Sequence, residues 1–583
     1  MARIVFWSAV CGGVSTLAMA PFQWPLASYL SLWPLFYLGH SLRNSLTGLL
    51  AAGLLSSFFC SCFAFHWFVL TIQNFGEPGL WGAVAIFFPL AFVFQFKFVV
   101  FMVGFGLSRR YRLPAWLFAG TIGAAADLIT PNLFPWYWGN LLAGNAYFAQ
   151  LAEFVGPAGL SFVLFALSHE AFAAAAAFQR GVFRWRRARW FAFAAIALLA
   201  LGATRYYQWR AFESELPDLR VAILQTNAPL ETTTPEGRRQ PRVEAAARKL
   251  MSETIPALNA QARAIAARKS RRPIELIVLP ESAVPFFSTD DHYLNRRYRV
   301  FDPAYRALAV ELTKAISDAE HSPAVVLNET NFRVHESEND GRIRARAHNS
   351  AALFVNGERV GEYHKERLLP FGEYAPGEGL WHALGLGHVL PSFLRNSRFY
   401  PGDREANRPL RVPRFTPGAS GYAVGRDETA AAILPTVCYE IIFTEYVRDF
   451  LRRPGEAGLL VNLTQDGWYG DTIETHQHFE LARLRSVETR RALVRANNAG
   501  SSGFVNLTGA IVPPLNADGA PRKSGDRGVL LQDVPLQNEY TTLYMRLGHW
   551  WLLLPACAVG FLLLRRARRA GAVSRLRPHS SQD

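Results

Sequence analysis

Charge is scarce in this 583-residue chain, with 18% charged residues and 50% hydrophobic ones. Soluble domains usually carry about a quarter charged residues, so an ordinary soluble protein and a disordered chain are both poor fits. Cysteine is scarcer still. There are five, and Cys11, Cys60, Cys62 and Cys557 sit in apolar runs, which leaves Cys438 alone in the polar part of the chain. That excludes a disulfide scaffold and any disulfide within the polar region. Acidic residues are too few to balance the basic ones, 46 against 61, for a formal charge of +15. The excess sits in Arg3 and Arg43, Arg109, Arg110 and Arg112, then Arg180, Arg184, Arg186, Arg187 and Arg189, and finally Arg565, Arg566, Arg568, Arg569, Arg575 and Arg577. Every group abuts an apolar run and the remainder is close to neutral, so these are positive-inside topology signals and not a nucleic-acid surface. No internal repeat is visible.

Long apolar runs are what the sequence does have. A bilayer span needs about 20 mostly apolar residues, and the pattern predicts spans near Ile4–Ala20, Ala27–His40, Thr47–Leu70, Trp81–Leu107, Ala115–Ile129, Leu151–Phe178 and Trp190–Tyr206, with a last one at His549–Leu564. The first is not a cleavable signal peptide, because apolar spans continue directly after it. The arginine groups fall after spans two, four, six and eight, which predicts both termini inside and the long polar region outside. The expected division is a seven-span membrane domain over 1–207, an extramembrane domain over 208–547, and a final span with a basic tail over 548–583.

The extramembrane region alternates strand and helix patterns. Strands are expected at Leu219–Gln225, Ile274–Leu279, Ala324–Leu327, Ala351–Val355, Ala430–Val437 and Gly458–Leu463; helices at Val243–Lys269, Pro303–Ala319, Ile441–Leu451 and Glu474–Arg491. Asn356-Gly357 between apolar runs is a hairpin signal. The Gly/Pro/Arg stretch Pro401–Gly425 reads as an irregular connection. The fold class is thus a polytopic helical membrane domain joined to an α/β domain.

A lone thiol in an oxidising compartment marks itself as reactive. Cys438 follows an expected strand and precedes an expected helix, where N–H groups favour a thiolate and can bind an oxyanion. Glu281 ends another strand in Leu279-Pro280-Glu281-Ser282, and Tyr363–Tyr374 supplies Lys365 with a second carboxylate, Glu373, eight residues on. Glu281, Lys365 and Cys438 lie 84 and 73 residues apart on three different elements.

These segments resemble the Glu–Lys–Cys triad of the nitrilase, or carbon–nitrogen hydrolase, superfamily. With spans on both sides of the domain, the chain resembles the apolipoprotein N-acyltransferase family. Matching runs are PFGEYAP at Pro370–Pro376, VCYEIIF at Val437–Phe443, HQHFELARLRSVE at His476–Glu488, APFQWPLA at Ala20–Ala27, Trp67 through Phe75-Gly76, and FPW at Phe134–Trp136. The resemblance implies an α-β-β-α sandwich on the outer face of a bacterial inner membrane. It also implies a fatty acyl chain passing from a phospholipid donor, through a Cys438 thioester, to the N-terminal amine of diacylglyceryl-cysteine on an apolipoprotein. Glu281 would be the general base and Lys365 the oxyanion partner with the Tyr439 N–H; Glu373, Tyr439 and Glu440 are expected to support them, with no cofactor or metal. The alternative is a membrane-tethered amidase using water as acceptor.

The chain departs from the family pattern at Thr232-Thr233-Thr234, where a tryptophan is usual, at Gln465 in place of asparagine, and at His348 in place of tyrosine. His476-Gln477-His478 has helical spacing and no third ligand placed for a metal, so it reads as hydrogen-bonded packing. Lys97, Asp127 and Glu153 fall in or near spans, as polar pairs or snorkelling ends. The apolar connection Leu380–Phe399 is expected to pack on the core or to form a membrane-facing lid.

Overall fold

The computed structural model describes residues 1–75, 79–109, 114–228, 249–269, 272–283, 287–288, 323–336, 343–385, 399–418, 421–513 and 527–575. The expected helix at Pro303–Ala319, the start of the one at Val243–Lys269, Thr232–Thr234 and the centre of the Leu380–Phe399 connection lie outside the described residues. Two compact units emerge: Met1–His66, Ala85–Arg205 and Arg546–Asp583 form the first, Trp67–Val84 and Tyr206–Met545 the second.

The first unit is helical: α1 (Ala2–Ala18), α2 (Pro25–Leu30), α3 (Trp33–Ser41), α4 (Leu46–Ala64), most of α6 (Leu80–Phe94), α7 (Lys97–Ser108), α8 (Ala115–Ile129), the single turn α9 (Ala146–Ala149), α10 (Ala152–Gln179) and most of α11 (Trp185–Glu213). Helix α5 (Phe68–Phe75) belongs to the second unit. Leu46–Ala64, Leu80–Ser108, Ala152–Gln179 and Trp185–Glu213 are long and apolar enough to cross a bilayer, and Ala2–Ala18 and Ala115–Ile129 are shorter apolar helices. This is a membrane protein. The span expected at Ala27–His40 is two short helices, α2 and α3. The one expected at Thr47–Leu70 stops at Ala64, and the chain turns before α5.

Without a hydrophobic drive between helices in lipid, small residues and polar contacts hold such a unit together. Gly12 on α1 and Gly53 on α4 have no room for a Cβ, which would lie 2.7 Å from the Phe59 backbone and 2.5 Å from the Val99 Cα. The buried residues Lys97, Asp127 and Glu153 are paired. Lys97 Nζ lies 3.0 Å from Asp127 Oδ1 and 3.6 Å from the centre of the Trp136 ring. Asp127 Oδ2 accepts from the Trp138 N–H at 3.0 Å and the Ser161 hydroxyl at 2.6 Å, and Glu153 pairs with Arg205.

The second unit carries two mixed sheets. One runs β13-β1-β2-β4-β5-β6, with β3 (Phe287–Ser288) beside β4, and the other β12-β11-β10-β9-β8-β7. In the first, β1 (Asp218–Gln225), β2 (Leu276–Val278) and β4 (Ala324–Glu336) are parallel; β5 (Ile343–Val355), β6 (Glu358–His364) and β13 (Gly528–Pro535) flank them antiparallel. In the second, β8 (Gly421–Val437), β9 (Leu459–Thr464) and β10 (Ala492–Asn497) are parallel, flanked by β7 (Leu410–Gly418), β11 (Gly503–Val505) and β12 (Ile511–Val512). Contacts of β1 with β10 and of β5 with β8 bring the sheets face to face. The central strands are buried on both faces, the pattern of parallel sheet covered on each side. Helix α12 (Ile255–Lys269) covers the first sheet, Ile255, Leu258, Ala262 and Ala266 packing on Ala222, Leu224, Ile277 and Leu531.

Two local features test the sequence reading. Asn356 and Gly357 have φ of 52° and 81° and close the β5–β6 hairpin, as a two-residue turn with both central residues left-handed requires. The stretch expected to be irregular contains β7 and the start of β8, an antiparallel pair. Pro413 and Pro417 hide β7 from the pattern and are tolerated because β7 is an edge strand.

Candidate active site

Parallel strands deliver their C-terminal ends to one edge, where open α/β sheets place their ligands. Glu281 lies just past β2, Asn328 and Asn349 on β4 and β5, Lys365 immediately after β6, Cys438 after β8, and Thr464 to Asp466 at the end of β9. The β8-to-helix turn is tight. Cys438 has φ of 54°, in the left-handed region, and opens a 3-10 helix, Cys438–Ile442, which ends at extended Phe443 before α13 (Thr444–Leu451). The expected helix from Ile441 is therefore two pieces. A left-handed cysteine is a strained conformation of the kind that clusters at functional turns. Asn462 Nδ2 fixes it by donating to the Cys438 carbonyl at 3.1 Å.

Glu281, Lys365 and Cys438 are all buried and come together. The Glu281 carboxyl and the Cys438 thiol are near enough for each to shift the other's proton affinity. Lys365 Nζ lies 2.9 Å from Glu373 Oε2, whose other oxygen accepts from Asn349 Nδ2 at 2.8 Å. The same Asn349 amide donates to Glu281 Oε1 at 2.9 Å. Burial pushes the Glu281 carboxyl up and Glu373 pushes it further, while Lys365 and Asn349 pull it back. Burial and the Glu281 charge hold the Cys438 thiol well above its ordinary range, with Lys365 acting against them. Burial disfavours the Lys365 ammonium, but Glu373 and Glu281 outweigh it and keep the amine charged. In this resting arrangement the surroundings of Cys438 favour the neutral thiol and those of Lys365 the charged amine.

The other expected supporting residues have separate places. Glu440 does not address the thiol. It accepts from the Tyr363 hydroxyl at 2.8 Å and from the N–H groups of Val437, Glu366 and Arg367 at 2.8, 2.7 and 3.0 Å. It therefore ties the Cys438 turn to the lysine-bearing loop, and burial lifts its carboxyl to about 7. Tyr439 is buried beside Cys438 with its ring edge-on to Phe443 at 4.8 Å.

Sequence reasoning missed Asn349 and Asn328, whose Nδ2 donates to Asn349 Oδ1 at 2.7 Å. It also missed Trp67, which the apolar pattern assigned to a span. Trp67 joins the sheet-bearing unit, where its Nε1 donates to Gln477 Oε1 at 3.0 Å and its ring meets Tyr469 edge-on at 5.3 Å. Tyr469 is buried and feels the charges of Cys438 and Glu281. Gln465, where the family pattern has asparagine, caps the 3-10 turn Asp466–Tyr469 through the Gly467 N–H at 3.1 Å. His348 Nδ1 lies 2.9 Å from the Tyr400 carbonyl.

Asp466, Glu474 and His478 place ligand-type atoms within 4.8 Å of one another. Asp466 already accepts from Arg495 at 2.9 Å, from Thr475 at 3.1 Å and from His478 at 3.0 Å. Burial alone would raise it, but Arg495 and His478 hold it well below the carboxylate range. The positive charge of this cluster is thus a guanidinium, and the residues fit a hydrogen-bonded support beside the Cys438 turn. His476, in the same run, is exposed.

Two mixed sheets with a cysteine, a lysine and a carboxylate at their shared edge define a carbon–nitrogen hydrolase, and residues 220–538 match the carbon-nitrogen hydrolase family model. Residues 11–169 match the apolipoprotein N-acyltransferase N-terminal domain model. Apolipoprotein N-acyltransferase 2 of Leptospira interrogans is 30% identical, covering 97% of this chain and 96% of that protein. The apolipoprotein N-acyltransferase of Rhodopseudomonas palustris is 27% identical over 97% of this chain and 95% of its own. That of Haemophilus influenzae is 26% identical over 86% and 85%. The chain belongs to the apolipoprotein N-acyltransferase family.

Proposed function

We propose that this enzyme N-acylates lipoproteins by a two-step transfer centred on Cys438. Splitting acyl transfer at a thioester replaces one difficult step by two easier ones. Glu281 accepts the thiol proton as the sulfur attacks the ester carbonyl of a phospholipid. Lys365 and the Tyr439 N–H offset the negative charge on the tetrahedral oxygen. The carbon–oxygen bond then breaks, and Glu281 returns its proton to the departing lysophospholipid oxygen. In the second half, the N-terminal amine of a diacylglyceryl-cysteine attacks the thioester, gives its proton to Glu281, and leaves as an amide while the thiol reforms. Glu373 positions Lys365, and Glu440 holds the two loops together.

The observation that carries this reading is that Glu281, Lys365 and Cys438 are buried together at the strand ends, with Lys365 Nζ 2.9 Å from Glu373 and Asn349 bonded to both Glu373 and Glu281. The test is intact-mass measurement of the full chain incubated with phospholipid in detergent. One acyl mass on the wild type, absent in Cys438→Ala, is expected. No adduct on the wild type overturns the proposal. Discharge of the adduct equally fast with and without a diacylglyceryl-cysteine peptide overturns the transferase assignment in favour of an amidase.

We place residues 208–547 on the periplasmic side as the catalytic domain, with 1–207 and 548–583 in the membrane and both termini cytoplasmic. The arginine parity supports this orientation. Labelling of the exposed His476 position as a cysteine by a membrane-impermeant reagent on intact spheroplasts checks it; protection there reverses the topology.

A further inference from the structure

Helices α10 and α11 are joined by a tight turn in which Gly181 has φ of +69°. Towards its far end α11 is firmly seated. A Cβ at Gly202 would lie 2.0 Å from the Tyr147 carbonyl oxygen, so the two backbones touch there, and Arg205 pairs with Glu153 one turn on. Nearer the turn the helices part. The facing positions are small (Ala171, Ala174, Ala188 and Ala192 among them) and do not meet. They leave a cavity of about 630 Å³, with Tyr29 and Phe148 also on its wall.

Such a space does not stay empty in a bilayer, and its alanine walls give water too few partners to hold it. Its charged groups, Glu170, Arg184 and Arg187, are confined to one end. Arg187 is satisfied there by Glu170, with Nε to Oε2 at 2.8 Å and Nη2 to Oε1 at 2.6 Å. Arg184 lines the same cavity and has no carboxylate partner among the described residues. One uncompensated guanidinium at the mouth of an apolar cleft is complementary to an amphiphile with an anionic head and an apolar tail. Guanidinium recognises phosphate oxygens in pairs. The lining runs along α11 from Arg184 to Leu199. At 1.5 Å per residue that is about 22 Å, longer than the ~15 Å depth of one leaflet's hydrocarbon.

We propose that the α10–α11 cleft is a resident phospholipid site, with Arg184 holding the phosphate and one acyl chain filling the alanine-lined cavity. This site is separate from the acyl-donor site and does not depend on the reading of Cys438. The lipid supplies the packing that α11 lacks over its near half.

The full-length protein, stripped of lipid in detergent, is titrated with dioleoylphosphatidylglycerol or with dioleoylglycerol, which has the same chains and no phosphate. Native mass spectrometry counts bound lipid and thermal unfolding reports its effect. The site predicts one tightly retained phospholipid and a rise in melting temperature, neither of them produced by dioleoylglycerol. Arg184→Gln should weaken retention about tenfold or more, as loss of a charge-assisted bond to phosphate requires. Ala192→Phe should expel the lipid while melting no lower than lipid-free wild type. Equal retention by both variants and wild type, or equal stabilisation by dioleoylglycerol, means annular lipid only and overturns the site. If Ala192→Phe fails to fold, a photo-crosslinking residue at Ala174 decides: a phospholipid adduct lost in Arg184→Gln supports the proposal, and no adduct rejects it.

Discussion

Asn349 gives the sharpest test of Glu281 as the proton acceptor. Its two amide protons are both committed, one to Glu281 Oε1 at 2.9 Å and one to Glu373 Oε1 at 2.8 Å. Replacing it with leucine keeps a similar volume and removes both donors. A hydrogen bond to a charged group contributes about 1.5–3 kcal/mol, and one pKa unit corresponds to about 1.4 kcal/mol. The bond favours the ionised carboxylate, so its loss raises the Glu281 carboxyl further. That adds to the upward push it already receives from burial and Glu373. A base works only when ionised, so the acid limb of the rate profile moves to higher pH in Asn349→Leu. Well above that limb the rate falls much less. The assay is single-turnover Cys438 thioester formation over about pH 5–9, and the limb belongs to the coupled Glu281–Cys438 pair. A uniform drop in rate with an unmoved limb would refute the assignment of Glu281 as base.

Three further outcomes follow from other contacts. Lys365→Met should slow thioester formation by about 10²–10³, the usual cost of an oxyanion partner, and raise the acid limb by removing a cation that lowers the Glu281 carboxyl; a near wild-type rate excludes the proposed role. Glu474 is fully buried, neither of its oxygens has a hydrogen-bond partner among the described residues, and burial and Asp466 push its carboxyl well above the ordinary value. A carboxyl raised on folding loses stability as pH rises from its unfolded value of about 4.3 through its folded one. Glu474→Gln, which mimics the neutral acid, should melt like wild type near pH 5 and above it near pH 8, and parallel melting curves at both pH values contradict this. Trp67→Phe removes the donor to the buried Gln477 Oε1 and should cost about 1–3 kcal/mol in chemical unfolding; a double-mutant cycle with Gln477→Leu should recover part of that loss, and strict additivity would show that the bond contributes nothing.

Much of the catalytic unit was legible because buried parallel strands write themselves as short continuous apolar runs. Leu219–Gln225 and Gly458–Leu463 are such runs, and they are β1 and β9 to within a residue. The Asn356-Gly357 turn was legible for a different reason: few residue pairs accept two consecutive left-handed conformations. Strands β6, β7, β10 and β13 were not. β6, β7 and β13 flank their sheets, and β6 and β7 mix Arg, Glu or Pro into a pattern that reads as connection; β10 is a buried parallel strand, but it is short, carries Arg495 and follows directly on the helix Glu474–Thr489. The helical unit was over-read. Apolar composition alone does not separate one span from the two short helices α2 and α3, whose break falls at Ser31 and Leu32.

The site divides along the same physical line. Glu281 and Cys438 were visible because each follows an expected strand, and Lys365 because its order and context beside them resemble a family. Of the groups that set their proton affinities, Glu373 was visible as the second carboxylate of the Tyr363–Tyr374 run, and Asn349 was not. Asn349 and Glu373 reach each other across a β5 side chain and a loop, a contact that arises only when β5 pairs with β6 and Lys365 N–H donates to the Asn349 carbonyl at 2.8 Å. Trp67 was hidden more completely, since an apolar run reports burial but not what it is buried against. In the structure it leaves the helical unit and fastens onto Gln477, one residue from His478 and the charged cluster under the nucleophile turn. Residues that act through partitioned charge are written in pairs of segments, so a reading of one segment at a time finds the reacting atoms before it finds what tunes them.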